Sequence, residues 1–380
     1  MDDTTPAENG ASEPPSGPEE FLRLDNERSD ERMPEELARQ VDGRTLTITT
    51  REKFDLKAAE PVRYDADRWQ LRLPEGAGLV MPGRTSGRLS LDEVGKAAAR
   101  DERSGFELEP SRPSWVDFEP HPKVTAPRTT VLRRVDGRII EPHYGVFGAD
   151  NRQVYYPGGY PWTCVGKILV WDDWGSPYPA WSGSGVLIGD RTVLTAGHMC
   201  PWGSRNWAMQ FVPAYYDGTS TLGRGVSSYV SDYYGYDTDE SVSAWDMAVL
   251  RLYTPLGVTH GYFGSKNYNS AWEGGDYWTL AGYPGAVSGG NRPSRQMWWP
   301  VLDDDGSGSA EEVEYEADAT PGNSGGPVFG FWNGAPYAIA THSGGSKTTF
   351  LWWTIEDTNV GAGGGALNSL VSWARSNWPA

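Results

Sequence analysis

The stretch "TPGNSGGPVF", Thr320 to Phe329, decides how the second half of the chain is interpreted. Glycines on both sides of Ser324 allow the main chain to bend sharply and to approach another group closely. That freedom suits a serine nucleophile held among backbone amides, and it equally suits a small residue in a glycine turn. The stretch alone leaves both interpretations open, so the rest of the chain must distinguish them.

The charge balance of the 380-residue chain limits its partners. The sequence has 33 Lys and Arg against 51 Asp and Glu, a formal net charge of -18. Without a basic patch, this excess of acid predicts no binding to nucleic acid or to an acidic membrane surface. No run approaches the roughly 18 apolar residues of a membrane-spanning helix. The acidic, polar start "MDDTTPAENG" lacks the basic and apolar parts of a secretory signal.

The composition changes near residue 145. Residues 1–20 are rich in Pro, Gly, Ser and acid, which predicts disorder, and the rest of residues 1–145 predicts a small, weakly cored α+β segment with a helix over "MPEELARQ". The second half holds 16 of the 18 tryptophans and many short runs such as "SGVLIG" and "YWTLAGYP". Such runs predict an all-β sandwich or barrel. The spacing of Leu367, Leu370 and Val371 predicts a C-terminal helix.

Acyl transfer by a serine needs a base, an acid that orients the base, and donors for the oxyanion. The base candidate is His198, which ends the strand-like run "VLTAGHM". Asp246 comes directly before an apolar run in "SAWDMAVLRL", so its carboxylate is expected at the mouth of a strand, where a histidine N–H would be a suitable partner. His260, in "GVTHGYF", has no such context and is interpreted as a histidine in a turn.

The motifs "TAGH", "WDMAVLRL" and "GNSGGPV", in this order, resemble those of the trypsin/chymotrypsin-fold serine proteases. Residues 146–380 are most similar to the secreted bacterial glutamyl endopeptidase branch. The resemblance implies two antiparallel six-stranded β-barrels with the active site in the cleft between them. It also implies a secreted, monomeric enzyme that cleaves protein or peptide substrates through an acyl-enzyme, without cofactor or metal.

The resemblance implies a role for each motif residue. Ser324 would be the nucleophile, His198 the general base and Asp246 the acid that fixes the imidazole tautomer. The backbone amides of Gly322 and Ser324 would form the oxyanion hole. Two alternatives remain open at this point: the same chemistry with a small or broad primary pocket, and a catalytically silent binding module with this fold.

The substrate pocket is also implied by the resemblance. His342 matches a histidine that contributes to a pocket for an acidic side chain, which favours cleavage after glutamate. Thr320 and Gly344 would lie at the same pocket, and Ser343 would bind substrate or donate a hydrogen bond to Asp246. One position departs from the glutamyl branch: Ala319 stands where that branch places a hydroxyl residue.

The resemblance places the mature N-terminus just before "VFGADNRQ", so cleavage is expected between Tyr144 and Val146. Residues 1–145 would then be a pro-segment that keeps the protease latent or helps it to fold. Asn323 has no charge with which to pair a new N-terminus, so activation by such an ion pair is not expected.

Two further features need a prediction. Related proteases bridge a pair of cysteines near this histidine, but Gly183 and Met199 occupy those places here; a disulfide between the nearby Cys164 and Cys200 is the expectation, and two buried thiols are the alternative. The acidic residues 303–314 have the spacing of a calcium-binding loop, but strand-like flanks favour a β-hairpin.

Overall fold

The computed structural model describes residues 13–41, 60–63, 69–72, 85–90, 93–94, 107–127, 146–236, 244–350 and 353–380. In the N-terminal segment, the predicted helix over "MPEELARQ" is confirmed, and it is the helix Glu35–Val41. No helix among the described residues is long and apolar enough to cross a membrane. The elements of this segment are α1 (Pro18–Phe21), α2 (Glu35–Val41), β1 (Glu60–Arg63), β2 (Trp69–Arg72), β3 (Thr85–Leu89) and β4 (Glu107–Leu108).

The first barrel is a closed sheet of six antiparallel strands. Its order is β13-β8-β7-β6-β9-β12, and pairing of β12 with β13 closes it. Short runs of β-branched and aromatic residues supply its interior, with Ile168, Leu187 and Phe211 wholly buried. The strands are β6 (Val165–Trp171), β7 (Trp181–Gly189), β8 (Thr192–Thr195), β9 (Ala208–Pro213), β12 (Ser228–Tyr236) and β13 (Ala248–Leu252).

The second barrel is built from a ten-stranded sheet whose main path is β17-β18-β21-β20-β19-β15-β16-β5. Strand β14 pairs with β20 beside this path. The predicted all-β, two-barrel architecture is therefore confirmed. The strands are β5 (Gln153–Val154), β14 (Gly264–Lys266), β15 (Trp278–Gly282), β16 (Ser294–Trp299), β17 (Asp303–Ser307), β18 (Ala310–Tyr315), β19 (Pro327–Trp332), β20 (Ala335–Phe350) and β21 (Trp353–Gly363).

Smaller elements complete the second half of the chain. The short pair β10 (Tyr215–Tyr216) and β11 (Thr219–Ser220) forms its own two-stranded sheet, and α3 (Leu256–His260) follows the first barrel. The predicted C-terminal helix is α4 (Gly365–Asn377), which buries Leu367, Leu370 and Val371 as the spacing required. The acidic loop is a hairpin as predicted, because β17 pairs antiparallel with β18.

The predicted disorder of residues 1–20 is wrong for the described residues 13–20; residues 1–12 lie outside the described part. The amide of Ser16 donates to the carbonyl of Phe331 (2.7 Å), and the indole N–H of Trp332 donates to the carbonyl of Glu13 (2.9 Å). Phe21 is only 2% exposed and packs against Phe331. The local composition predicted that the entropy cost of ordering this segment would not be offset. The packing of Phe21 against an aromatic surface distant in sequence offsets that cost.

The N-terminal segment adds strands to both barrels. Strand β3 pairs in parallel with β12 of the first barrel, and β4 pairs antiparallel with β14 of the second. The Arg375 guanidinium of α4 also donates to the carbonyl of Glu109 (2.9 Å). These contacts cover backbone edges that would otherwise be unpaired.

The expected disulfide is not formed. Cys164 and Cys200 are both free and buried, and burial raises the pKa of each thiol well above its usual value. The Cys164 thiol lies 3.8 Å from the carbonyl of His260, at the end of α3. Gly183 and Met199 stand at the two positions where the family resemblance places cysteines. They pack closely, because a Cβ on Gly183 would lie 2.6 Å from the Met199 sulfur.

Glu311 is a half-buried residue whose replacement should stabilise the fold at alkaline pH. Its Oε2 has no partner, and burial, with a smaller effect of Asp304, raises its pKa from 4.5 to about 7. A raised carboxyl pKa opposes folding progressively as pH rises from about 4.5 to about 7. After allowance for solvent screening, Glu311→Gln should gain about 1–2 kcal/mol at pH 8 and almost nothing at pH 4.

Thermal unfolding of the Glu311→Gln variant at pH 4 and pH 8 measures this effect. Glu316→Gln, at an exposed position of the same region, is the matched control and should show no such pH-dependent gain. An equal change for Glu311→Gln at both pH values would mean that the Glu311 carboxyl titrates normally.

Candidate active site

The His198 imidazole and the Asp246 carboxylate form a tightly bonded pair at the end of β8. The chain leaves β8 into a short 3-10 turn, Gly197–Met199, which turns the imidazole out of the strand. Nδ1 of His198 is 2.7 Å from one Asp246 oxygen, and the His198 backbone N–H donates to the other at 2.7 Å. Because Asp246 is 2% exposed, it needs such donors. The carboxylate accepts from Nδ1–H, so Nε2 is left unprotonated in the neutral ring.

A third donor completes the environment of Asp246. The Ser343 hydroxyl donates to the same carboxylate oxygen that faces His198 Nδ1. The carboxylate is therefore held by a backbone amide, an imidazole and a hydroxyl, and its orientation relative to the ring is fixed from both sides.

The loop that carries Ser324 is anchored to both barrels. The amide of Gly325 donates to the carbonyl of His342, and the amide of His342 donates to the carbonyl of Gly326, both at 2.8 Å. The Ser324 carbonyl accepts from the amide of Ser184 on β7 of the first barrel (2.8 Å). The hydroxyl-bearing residue therefore lies where the two barrels meet.

Two amides in this loop have no acceptor. Among the described residues, neither the Gly322 N–H nor the Ser324 N–H donates a hydrogen bond. The carbonyl oxygen of Gly322 accepts a hydrogen bond from the Ser184 hydroxyl (2.7 Å). That hydroxyl in turn accepts one from the Tyr283 amide (2.8 Å). Unpaired backbone donors at a bend are suited to bind a developing negative oxygen.

The backbone conformation and the close packing at position 322 require a glycine there. Its φ is +102°, and a Cβ there would lie 2.5 Å from the carbonyl oxygen of Tyr283. The family resemblance implied that this glycine belongs to the oxyanion hole, and the close approach of Tyr283 gives a steric reason for a glycine there. Gly325, also at positive φ, would overlap the Thr195 hydroxyl if it carried a side chain.

The serine loop and the histidine turn are neighbours, although no hydrogen bond joins Ser324 to His198 in this structure. A Cβ on Gly183 would contact both Met199, next to His198, and the Ser324 carbonyl, at 2.6 and 2.9 Å. Catalytic hydrogen bonds often tighten only when substrate is bound, so the lack of this bond does not exclude proton transfer from Ser324 to His198.

His342 is buried on β20 beside this loop. Its Nδ1 lies 2.8 Å from the Tyr315 hydroxyl. Burial, with the nearby imidazole of His198 as a lesser cause, lowers the pKa of His342 to about 3, and Asp246 opposes this only weakly. Burial also raises the pKa of Tyr315, so the hydroxyl keeps its proton and can donate a hydrogen bond to Nδ1. When the neutral His342 ring accepts this bond at Nδ1, its own proton is on Nε2.

Arg152 is a residue of this region that the sequence analysis missed. Its side chain is 2% exposed, and its guanidinium donates to the Thr320 hydroxyl (2.9 Å) and pairs with Asp150 (2.7 Å). The buried carboxylate of Asp318 accepts from the amides of Phe147 (2.9 Å) and Asn151 (2.7 Å). The segment after residue 145 is therefore held against the serine loop. The run "VFGADNRQ" contains Arg152, but its resemblance to the glutamyl branch predicted a cleavage site and no role for this side chain.

The other predicted pocket residues lie close to these. Thr320 is 4% exposed and Ala319 is 1% exposed. Gly344 follows Ser343 on β20 and pairs with Val360 of β21. His260 is buried at the end of α3, where burial lowers its pKa to about 4, and it makes no contact with the serine loop among the described residues.

Residues 183–338 match the family model described as a trypsin-like peptidase domain. The chain is similar to the trypsin-like peptidases. The match spans Asp246 and Ser324, and His198 lies fifteen residues inside its start. This similarity supports a hydrolase of peptide bonds.

Solved structures with a similar course of the chain include three proteases. A Glu endopeptidase in complex with MPD is 22% identical, with a TM-score of 0.48 over 61% of this chain and 99% of that one. Protease Anisep from Arthrobacter nicotinovorans is 19% identical, with a TM-score of 0.43 over 59% and 99%. A thermostable serine protease, AL20, from an extremophilic microorganism is 20% identical, with a TM-score of 0.42 over 57% and 98%. No curated protein sequence matches the chain.

Proposed function

We propose that the chain is a serine endopeptidase that cleaves proteins or peptides through an acyl-enzyme. The observation that carries the proposal is the bonded pair of His198 and buried Asp246 beside a serine loop with two unpaired amides. Each part of serine catalysis then has a residue whose chemistry fits it.

In this mechanism, the Ser324 Oγ attacks the substrate carbonyl carbon and His198 Nε2 accepts its proton. Asp246 keeps the Nδ1–H tautomer and stabilises the imidazolium that forms. The amides of Gly322 and Ser324 donate to the oxyanion. His198 then protonates the leaving amine, and a water molecule hydrolyses the acyl-enzyme by the same steps in reverse order.

We also propose that the primary pocket prefers glutamate. The neutral Nε2–H of His342 can donate to a substrate carboxylate without placing a fixed cation in the protein interior. Tyr315 supports this by fixing the tautomer from the other side of the ring. Arg152, through Thr320, adds a second polar contact at the pocket. A small or broad pocket is the alternative, and Ala319 in place of a hydroxyl residue favours it.

A panel of peptides that differ only in the residue before the scissile bond tests the preference. We expect kcat/KM for glutamate to exceed that for alanine or leucine by at least about tenfold, because a pocket built to donate hydrogen bonds leaves its donors unpaired with apolar residues. Tyr315→Phe should lower kcat/KM for the glutamyl peptide about tenfold and leave the alanyl peptide almost unchanged. Tyr277→Phe, in the same barrel, is the control. Equal rates across the panel would favour the broad pocket.

We propose that residues 1–145 are a pro-segment that supports the fold of the protease domain, residues 146–380. Among the described residues, no hydrogen bond, ion pair or ring contact joins residues 13–127 to His198, Asp246 or Ser324. The segment instead pairs with β12 and β14. These contacts favour a role in folding and stability over direct obstruction of the described site. Secretion and a monomeric state remain predictions.

Cleavage between Tyr144 and Val146 should therefore leave two fragments that stay together. The paired strands and the buried Phe21 predict that the pro-segment, residues 1–145, co-elutes with residues 146–380 in size-exclusion chromatography. The separated protease domain, prepared in denaturant, should unfold at a lower temperature than the complex. Dissociation upon cleavage, accompanied by a rise in peptidase activity, would favour latency by obstruction instead.

A further inference from the structure

A cavity of about 380 Å³ lies between the N-terminal segment and the second barrel. Phe21 and His121 of the N-terminal segment form one wall, and β16 forms the opposite one. Its lining is mixed, because the polar side chains of Asn151, Gln153 and Gln296 contribute beside apolar and aromatic ones, and the backbone of Trp298 has an unusual φ of +65°. The residues of β16 that line it include Arg295, Met297 and Trp298.

Arg295 is the only guanidinium on the cavity wall among the described residues, and it is 7% exposed. Its Nε and Nη1 are buried without any hydrogen-bond partner. No carboxylate of the described residues pairs with it; instead the group is stacked 4.5 Å from the Trp162 ring. Burial lowers its pKa to about 10, so the side chain still carries a charge at neutral pH. A buried cation without an anion is costly unless a ligand supplies one.

The ring of Tyr155, which does not line the cavity, lies behind this cation. The Tyr155 hydroxyl is buried and has no partner, and its ring centre is 5.9 Å from the Arg295 guanidinium carbon. Tyr155 itself is wholly buried. Buried donors of this kind are normally satisfied, so the unpaired nitrogens of Arg295, which lines the cavity, indicate a missing acceptor.

We propose that the cavity binds an organic carboxylate with an aromatic or aliphatic body, with Arg295 as its anchor. One guanidinium balances one negative charge, whereas a phosphate dianion would remain half unpaired. The apolar wall of Phe21, Met297 and Trp298 suits the body of such a ligand. The site is separate from the proposed catalytic chemistry and does not depend on it.

The ligand would stabilise the packing of the N-terminal segment against the second barrel, because it would contact both sides of the cavity. The ligand would also lie near residues that are hydrogen-bonded to the segment before the serine loop. Gln296, which follows Arg295, accepts from the amide of Asp318 (2.7 Å), and Asp318 in turn holds the segment after residue 145. Binding should therefore raise the unfolding temperature of the full chain.

Isothermal titration of the full chain with sodium benzoate, and with neutral benzamide as the isosteric control, tests the site. We expect one benzoate per chain, with benzamide at least tenfold weaker. Arg295→Met should lose benzoate binding, whereas Arg205→Gln, an equal charge change at an exposed position, should keep it. Equal binding of benzoate and benzamide, no benzoate binding at millimolar concentration, or full binding by Arg295→Met would overturn the proposal.

A second pair of variants keeps the test decisive if Arg295→Met does not fold. Leu22 lies at the cavity and is 70% exposed, so substitutions there should not disturb the core. Leu22→Asp places a carboxylate near the anchor and should weaken benzoate binding about tenfold by repulsion and competition. The uncharged Leu22→Asn should bind benzoate within about threefold of the native chain. Equal affinities for the two variants would place the bound carboxylate elsewhere, for example at His342, and contradict the proposal.

Discussion

Replacing Ser324 with alanine should lower kcat for every peptide substrate by roughly 10⁴- to 10⁶-fold. The alanine side chain has no oxygen to attack the carbonyl carbon, so no acyl-enzyme can form. Ser324 makes no side-chain hydrogen bond in this structure, and its backbone contacts to Ser184 remain in the variant. The unfolding temperature should therefore change little. Steady-state hydrolysis of a glutamyl peptide and thermal unfolding together measure the two expectations.

The exposed Ser309 provides a matched control for this substitution. Ser309→Ala should leave kcat unchanged, since its side chain lies on the turn of the acidic hairpin, away from the serine loop. If Ser324→Ala retained hydrolysis within tenfold of the native chain, the nucleophile would be another residue, or the activity would belong to a contaminant. A native chain with no hydrolysis at all would instead favour the silent binding module.

The Asp246→Asn variant should lose about 10⁴-fold in kcat at neutral pH. An amide at this position can turn an N–H towards His198 Nδ1, which stabilises the opposite tautomer, with its proton on Nε2. That tautomer cannot accept the Ser324 proton. The volume of the side chain is almost unchanged, so the fold should persist.

Comparison of Ser343→Ala with Asp246→Asn separates the effect of how the Asp246 carboxylate is oriented from the effect of its charge. Ser343→Ala removes only one of the three donors and should lower kcat by about tenfold or less, because the His198 backbone amide and Nδ1 still hold the carboxylate. Steady-state kinetics of both variants provide the comparison. A loss of less than tenfold for Asp246→Asn would mean that the carboxylate does not control the tautomer of the histidine.

The sequence predicted the fold where the signal was local. Short β-branched runs separated by turns were sufficient for the barrels, and the spacing of Leu367, Leu370 and Val371 placed α4. The candidate site was predicted because each of His198, Asp246 and Ser324 lies in a short motif of its own. The resemblance to the trypsin-fold proteases implied that they converge, and the bond from His198 to Asp246 joins two of the three.

The features that were missed depend on contacts between distant parts of the chain. Residues 13–20 are polar and proline-rich, but their order comes from Phe331 and Trp332, more than 300 residues away. Arg152 joins Thr320 across a similar gap of 168 residues. The cysteine prediction failed because a family pairing was transferred to cysteines at other positions, while Gly183 and Met199 pack where the pairing would have been. Composition and motif spacing carry no signal for such contacts.

The intact mass of the chain after treatment with a serine-directed phosphonylating reagent tests the central claim most directly. An activated nucleophile beside two free amides should react at a single site, so the account predicts one adduct per native chain, located by peptide mapping at Ser324. Ser324→Ala should give none, and Asp246→Asn should react far more slowly. A native chain that stays unmodified, or an adduct that persists in Ser324→Ala, would contradict the account.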